Sequence, residues 1–151
     1  MQKPYRKCVV AVIAGEGVKY LAGERAGRDG AWQFPQGGVD PGEDARQALL
    51  RELREETGCN KVRILRQGQE VVRYEFPPEL DTPVAGRYCG QEQTWFLVEY
   101  ESGAGPVPEQ SDGEFQAFAW MSLQEICAAV IPWKRQAYDR GLRSLGLGGE
   151  D

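Results

Sequence analysis

The strongest constraint on this chain is the segment 37–59, which is rich in charged residues and bounded by glycines. Residues 43–57 have helical character, and Asp44 followed by Gln47 forms a capping-box pattern near the start. Gly58 is a natural helix stop because glycine readily adopts the left-handed conformation found there. We therefore predict a loop, a helix and a second loop in this order, with Gly58 in a structural role.

Three carboxylates project from one side of this predicted helix. Glu52 and Glu56 are four residues apart and lie one above the other, and Glu55 is one step round the same face. Like charges at this spacing destabilise a helix by about a few tenths of a kcal/mol, and acidic groups in the last turn oppose the helix dipole. A bound divalent cation with oxygen ligands, Mg²⁺ first, would explain the cluster. A solvated acidic helix face is the alternative interpretation.

The absence of histidine narrows the chemistry. It excludes a Ser-His-Asp triad, a Cys-His pair and an HExxH zinc site. Proton transfer must fall to carboxylates, lysine, tyrosine, cysteine or a metal-bound water. The net charge of −5 argues against a general nucleic-acid coat protein and is compatible with a site that collects divalent cations.

Length and patterning predict one domain over residues 1–151, with a flexible Gly-rich tail at about 146–151. Strand-like and helix-like stretches are mixed without strict βαβ alternation, so we predict an α/β (α+β) fold with a mixed sheet and helices on its faces. The predicted strands are about 8–14, 19–25, 62–65, 70–76, 95–100 and 115–120, and the later helices are about 122–130 and 133–145. Pro/Gly-rich loops are predicted at 77–90 and 102–113.

We expect a cytoplasmic monomer without membrane contact. The longest apolar run, 8–14, is too short to span a bilayer, and residues 1–7 have no signal-peptide core. The four cysteines show no CxxC spacing, which is typical of reduced thiols inside a cytosolic domain.

The segment 37–59 also fits the pattern G-x5-E-x7-R-E-U-x-E-E-x-G-U, the signature of the Nudix hydrolases, at every position. The matching residues are Gly37, Glu43, Arg51, Glu52, Leu53, Glu55, Glu56, Gly58 and Cys59, of which only Cys59 is unusual. The resemblance implies the Nudix fold, a mixed β-sheet sandwiched between α-helices. It also implies a site that binds Mg²⁺, with Mn²⁺ as a substitute, and hydrolyses a nucleoside diphosphate linked to a further group.

Flanking segments resemble the bacterial RNA pyrophosphohydrolases and the related dinucleoside polyphosphate hydrolases within that family. The similar segments are Tyr5-Arg6, Trp32-Gln33-Phe34-Pro35-Gln36-Gly37-Gly38, Arg73-Tyr74, Gly90-Gln91-x-Gln93-x-Trp95-Phe96, Glu114-Phe115 and Trp133-Lys134-Arg135-x-x-Tyr138-x-Arg140. Two positions depart from the subgroup: Ala26 stands where a second arginine often follows the one matching Arg25, and Trp133 replaces a phenylalanine. We expect base preference to differ accordingly.

The resemblance also implies roles for individual residues. Glu52 and Glu56 are the expected metal ligands, with the Gly37 carbonyl nearby. Glu55 and Glu114 are further candidate ligands, and the general base is open between Glu52, Glu55 and Glu114. Glu43 is expected to brace the loop through Arg51. The candidate substrate-binding residues are Arg6, Arg25, Gln36, Tyr74, Gln91, Gln93, Trp133 and Lys134. Their alternative roles are surface charge for the three cations, core packing for the aromatic residues, and strand-entry hydrogen bonding for Gln91 and Gln93.

Several functions are compatible with these motifs. The first is Mg²⁺-dependent hydrolysis of the 5′-terminal triphosphate or diphosphate of RNA to a 5′-monophosphate. The alternative is hydrolysis of a dinucleoside polyphosphate such as diadenosine tetraphosphate. A non-catalytic nucleotide or RNA sensor would tolerate loss of the carboxylates, yet all of them are present. The expected partner is therefore a 5′-phosphorylated RNA end or a dinucleoside polyphosphate.

Overall fold

A mixed β-sheet with helices on both faces forms the fold in the computed structural model, which describes residues 3–148. The strands are β1 (Tyr5–Ala14), β2 (Tyr20–Arg25), β3 (Trp32–Gln33), β4 (Gln36–Gly38), β5 (Val62–Gln67), β6 (Val72–Glu75), β7 (Gly90–Tyr100) and β8 (Phe115–Met121). The helices are α1 (Ala45–Thr57), α2 (Pro83–Arg87), α3 (Leu123–Ala129) and α4 (Arg135–Ser144). Single 3₁₀ turns occur at Pro108–Gln110 and Pro132–Lys134.

The sheet is mixed because one of its central pairs is parallel. Its main path runs β3-β2-β1-β7-β5, while β4 pairs with β1, β6 with β7 and β8 with β2. Strands β1 and β7 run parallel from Tyr5 opposite Gly90 to Ala14 opposite Glu99, and the other pairs are antiparallel. The predicted mixed sheet is therefore confirmed.

Strand β1 is buried on both faces, which explains its unbroken apolar sequence. Val10 belongs to a core cluster that includes Tyr138 of α4. Its neighbour Val9 points the other way, into a cluster that includes Leu49 and Leu53 of α1. Since successive strand residues face opposite sides, α1 covers one face of the sheet and α3 with α4 cover the other.

Helix α1 has the predicted ends. The Gln47 backbone N–H donates to the Asp44 carboxylate at 2.8 Å, and the Asp44 backbone N–H donates to the Gln47 side-chain oxygen at 2.9 Å, which completes the capping box. At the other end, Gly58 adopts φ 80° and its N–H donates to the Arg54 carbonyl. Glu52, Glu55 and Glu56 therefore project from a helix whose two ends are fixed by local hydrogen bonds.

The structure differs from the predicted elements in several places, among them the short strands β3 and β4, which were not predicted. Strand β7 begins at Gly90, five residues before the predicted start, because backbone pairing with β1 and β6 overrides the weak strand propensity of its glycine and glutamines. The loop 77–90 contains α2, which Thr82 caps. The last predicted helix is divided into a 3₁₀ turn and α4.

The C-terminal tail is described only in part. Of the predicted flexible tail, 146–148 follow α4, with Leu147 packed against the core, whereas 149–151 lie outside the described residues. The flexibility of the tail stays a prediction. No helix within residues 3–148 combines the length and the apolar character needed to cross a membrane.

Candidate active site

A cleft of about 430 Å³ lies between α1, the loop before β8, strand β6 and the start of α4. Three groups of side chains line it, and they differ in chemistry. The acidic group is Glu52, Glu55, Glu56, Asp112 and Glu114; the basic group is Arg6, Arg25, Arg28 and Lys134; the aromatic group is the cluster of Tyr74, Phe76 and Trp133. Trp32 is a further aromatic residue of the lining, outside this cluster. Such a cleft offers carboxylates, cations and flat apolar surface to one ligand.

Glu56 is the most buried member of the acidic group, with an exposed fraction of 2%. Its carboxylate accepts a hydrogen bond from the Gln36 backbone N–H at 3.0 Å. Burial, followed by the charges of Glu114 and Glu52, raises the pKa of Glu56 well above its ordinary value. A cation in the cleft would relieve this penalty on the charged carboxylate.

Glu52 lies directly against the backbone of β4. A Cβ atom on Gly37 would overlap the Glu52 carboxyl group, so the absence of a side chain at Gly37 creates the space that this carboxylate occupies. Burial raises the pKa of Glu52, and a hydrogen bond from Arg51 at 3.0 Å opposes that shift. The first glycine of the segment 37–59 therefore determines where a carboxylate of the cleft can sit.

Arg51 joins α1 to the loop in front of it. Its guanidinium donates to both carboxylate oxygens of Glu43, at 2.7 and 3.0 Å, and to the Gly38 carbonyl at 2.7 Å. The hydrogen bond from Arg51 lowers the pKa of Glu43 to about 2. Glu43 does not line the cleft. This geometry supports the bracing role expected for Glu43 and Arg51.

The remaining carboxylates come from two elements. Glu55 is half-exposed and receives a hydrogen bond from Arg51 at 3.3 Å. Its backbone carbonyl accepts from the Asp112 N–H at 2.7 Å, and the Asp112 side chain accepts from the Glu114 N–H at 3.0 Å. Loss of solvent around the carboxyl group, and then the charge of Asp112, raise the pKa of Glu114. The sequence predictions omitted Asp112, although its position two residues before Glu114 was a usable signal.

The acidic group fits a hard divalent cation by its chemistry. Within residues 3–148, no three carboxylate or thiol side chains already converge closely enough to form a metal cage. However, the charges of Glu114 and Glu52 raise the pKa of Glu56, and the charge of Glu114 raises the pKa of Glu52, which places the three carboxylates within electrostatic reach. Oxygen ligands carrying surplus negative charge are the donor set that Mg²⁺ and Mn²⁺ prefer.

Lys134 is a buried cation, with an exposed fraction of 8%. Burial, and then the charge of Arg25, lower its pKa to about 8. Its ammonium lies 5.5 Å from the ring centroid of Trp133, and no carboxylate in the described part of the chain forms an ion pair with it. A buried cation without an anionic partner is costly, so an anionic ligand suits this position.

Two arginines complete the basic group beside Arg25 and Lys134. The guanidinium of Arg6 packs against the backbone of Gly38, where a Cβ would come within 2.6 Å of its Nη2 atom. Arg28 was missed from the sequence. The departure at Ala26 could have identified it, because Arg28 is the next arginine in the same loop.

The aromatic group packs closely. The ring centroids of Tyr74, Phe76 and Trp133 lie 5.9 to 6.1 Å from one another. Phe76 was not among the predicted site residues, although it follows Tyr74 by two positions, the spacing that brings strand residues to one face. The Tyr74 hydroxyl is buried and has no hydrogen-bond partner within residues 3–148. Nucleobases stack on such surfaces.

Of the predicted polar contacts, Gln36 and Gln91 line the cleft and Gln93 does not. Gln93 is 1% exposed, donates to Gln91 at 2.9 Å and accepts from the Trp95 indole at 3.0 Å. Gln93 is thus placed behind the cleft, where it cannot reach a ligand directly. Gln91 and Gln93 share one face of β7, but Gln93 lies one step further along the strand, between Gln91 and the buried Trp95 indole.

The fold and the site together define a hydrolase scaffold with a carboxylate-bearing helix. Residues 4–141 match the NUDIX domain family, and the chain belongs to this family. It is 41% identical over 141 residues to an RNA pyrophosphohydrolase of Cereibacter sphaeroides, with 90% of this chain and 87% of the relative covered. It is 36% identical over 151 residues to an RNA pyrophosphohydrolase of Brucella ovis, with 91% and 85% covered.

Solved structures show the same fold. The E. coli dihydroneopterin triphosphate pyrophosphohydrolase superimposes with a TM-score of 0.66 at 24% identity, covering 91% of this chain and 97% of that one. A C. elegans Ap4A hydrolase in a binary complex gives a TM-score of 0.63 at 20% identity, with 89% and 93% covered. These similarities confirm the predicted Nudix fold.

Proposed function

We propose that this Nudix hydrolase is a Mg²⁺-dependent RNA 5′ pyrophosphohydrolase that leaves a 5′-monophosphate. The observation that carries the proposal is the composition of one cleft: carboxylates, a buried unpaired lysine with three arginines, and a cluster of aromatic rings. A nucleoside polyphosphate needs all three, because its phosphates need cations and its base needs a stacking surface. The relatives from C. sphaeroides and B. ovis, which carry this activity in their names, support the choice of RNA.

The acidic group would hold the metal. Glu52 and Glu56 are the proposed ligands, with the Gly37 carbonyl, Glu55 and Glu114 as further oxygen donors. Bound Mg²⁺ supplies charge neutralisation between these carboxylates and the substrate phosphates and activates water for attack on phosphorus. Mn²⁺ has the same preference for oxygen and is expected to substitute.

The protein's own residues divide the remaining work. Arg6, Arg25 and Lys134 bind phosphate oxygens, and Lys134 gains most because its ammonium is desolvated before the substrate arrives. Among the three candidate bases, Glu52 and Glu55 already accept hydrogen bonds from Arg51. Glu114 does not, and its raised pKa suits a carboxylate that takes the proton of the attacking water.

The decisive experiment compares hydrolysis rates of a short 5′-triphosphorylated RNA and of diadenosine tetraphosphate in Mg²⁺. We expect the RNA to be the better substrate, and hydrolysis of the dinucleotide alone would replace this proposal with a dinucleoside polyphosphate hydrolase. Glu52→Gln and Glu56→Gln should each abolish turnover while the circular dichroism spectrum is unchanged. Near-normal turnover in either variant would refute the ligand assignment.

A companion measurement tests the aromatic group. Trp133→Ala should raise KM for the RNA about tenfold, because base stacking contributes roughly 1–3 kcal/mol. Inorganic tripolyphosphate has no base, so its KM should not change. An equal effect on both substrates would show that Trp133 acts through folding and not through stacking.

We also propose a cytoplasmic monomer. All four cysteines are unpaired in the described structure, as expected in a reducing compartment. Burial raises the pKa of Cys8 to about 11, so this thiol stays protonated and inert. Size-exclusion chromatography with light scattering would test the oligomeric state.

A further inference from the structure

Four side chains form a hydrogen-bonded chain from the core to the cleft. The Trp95 indole N–H donates to Gln93 Oε1 at 3.0 Å, and Gln93 Nε2 donates to Gln91 Oε1 at 2.9 Å. The same Gln91 oxygen accepts from Gln36 Nε2 at 3.3 Å. Gln91 and Gln36 line the cleft, while Trp95 and Gln93 are buried behind it.

The first donor determines the direction of every later bond. An indole N–H can only donate, whereas a glutamine amide can present either its oxygen or its nitrogen. Trp95 therefore requires the oxygen of Gln93, which turns the Gln93 nitrogen toward Gln91. Gln91 must therefore accept with its Oε1 atom, and Gln36 must donate to that oxygen with its Nε2 atom.

The last amide then has one orientation. Its oxygen, Gln36 Oε1, is buried and has no hydrogen-bond partner among the described residues. It belongs to a residue that lines the cleft and whose backbone N–H donates to Glu56. An unsatisfied buried acceptor in a binding cleft indicates a donor on the ligand.

We propose that Trp95 and Gln93 are positioning residues that hold Gln36 with its acceptor toward the cleft, and that Gln36 Oε1 selects a ligand with a hydrogen-bond donor at this point. The inference rests on the proposed function, because the ligand is taken to be a 5′-triphosphorylated nucleotide. The donor is a hydroxyl or amine of the nucleoside, or a water molecule held among the carboxylates. A neutral acceptor of this kind is worth about tenfold in affinity.

Nuclear magnetic resonance tests the orientation without any substrate. Two amides that donate to one oxygen bring their protons close together, so the side-chain NH₂ groups of Gln36 and Gln93 should show a mutual nuclear Overhauser effect. Trp95→Phe removes the indole donor and should abolish it, provided that the amide spectrum shows an intact fold. Absence of this effect in the unsubstituted protein would overturn the proposal.

Kinetics test the consequence for binding through a double-mutant cycle. Gln93→Met and Gln36→Met should each raise KM for the triphosphorylated RNA about tenfold with kcat nearly unchanged, and the double variant should be no worse than Gln36→Met alone. Gln124→Met, at an exposed position of α3, is the matched control and should leave KM unchanged. Additive effects would mean that Gln93 contributes only to folding and would refute the positioning role.

A third arm identifies the donor. With inorganic tripolyphosphate as the substrate, Gln36→Met should leave KM unchanged if the nucleoside supplies the donor. The increase in KM should persist if a water molecule supplies the donor. If the unsubstituted protein does not hydrolyse RNA, the proposed function fails, and the same cycle is run on diadenosine tetraphosphate. An unchanged KM for Gln36→Met on the hydrolysed substrate would refute the acceptor role, whatever that substrate is.

Discussion

Gly37→Ala should separate activity from stability more cleanly than any substitution of a charged residue. A Cβ at this position would lie more than about 1 Å inside the ~3.5 Å separation at which nonbonded carbon atoms rest, and the atoms it meets are the Glu52 carboxyl group. These atoms end a flexible side chain, so the carboxylate can move aside while the backbone stays in place. Gly37 does not have a positive φ, and alanine therefore adds no backbone strain.

The expected magnitude follows from this displacement. A misplacement of about 1 Å in a catalytic group costs about 100-fold in rate, so kcat on triphosphorylated RNA should fall about 100-fold. The free energy of unfolding in urea should change by less than about 1 kcal/mol, because the replaced glycine also carried an entropic cost of similar size. The shift of Glu52 should further weaken Mg²⁺ binding, measured by calorimetry.

Gly105→Ala is the matched control, since no atom of the described part of the chain lies within 4 Å of a Cβ there and its φ is not positive. It should leave both kcat and stability nearly unchanged. Normal turnover in Gly37→Ala would refute the reasoning, because it would mean that the position of the Glu52 carboxylate is not critical. A loss of the fold in Gly37→Ala would refute the claim that the side chain, and not the strand, absorbs the clash.

Three further predictions concern charge and backbone strain. Glu56→Gln should stabilise the metal-free protein above pH 4.5. Burial raises the pKa of Glu56 above that ordinary value, so ionisation of its carboxyl group lowers the free energy of unfolding as pH rises. Thermal melts with and without Mg²⁺ should show that added metal stabilises only the unsubstituted protein. Lys134→Met should raise the free energy of unfolding at pH 7 by about 3 kcal/mol, because burial lowers the pKa of Lys134 from 10.5 to about 8 and penalises its charged form below pH 10.5. The same variant should raise KM and remove the fall in kcat/KM that we expect in the unsubstituted enzyme above pH 8, and an unchanged pH profile would contradict the phosphate-binding role. Val18→Asn should raise the free energy of unfolding in urea by about 1 kcal/mol, because Val18 is exposed and has φ 56°, which a β-branched residue tolerates poorly. An equal or lower free energy of unfolding would contradict the strain argument.

Features governed by neighbouring residues were predictable from the sequence. The capping box of α1 formed as predicted, because it depends on two side chains three residues apart. The apolar run 8–14 was correctly predicted to form a strand. The clustering of Glu52 and Glu56 likewise follows from helix periodicity alone.

Features that depend on distant contacts were not predictable in this way. The burial of Lys134 results from packing of the 3₁₀ turn against the cleft, and its sequence neighbours give no sign of it. The contribution of Arg28 depends on how the loop after β2 folds back. Gln93 was assigned to the ligand because its segment resembles that of the subgroup, whereas its actual partners are Gln91 and an indole two residues away.

The parallel pairing of β1 with β7 also has a consequence for how the chain folds during synthesis. Residues 5–14 leave the ribosome early, but their central neighbours, residues 90–99, follow only after most of the chain has been made. Until then the most apolar strand has one open edge, which invites association with other chains. Helix α1 can form within this interval and pack against β1, but Phe96 and Val98 complete its core cluster only when β7 joins the sheet. We therefore expect slow folding for a domain of this size, limited by the joining of β7 to β1 and sensitive to chaperones that shield exposed strands.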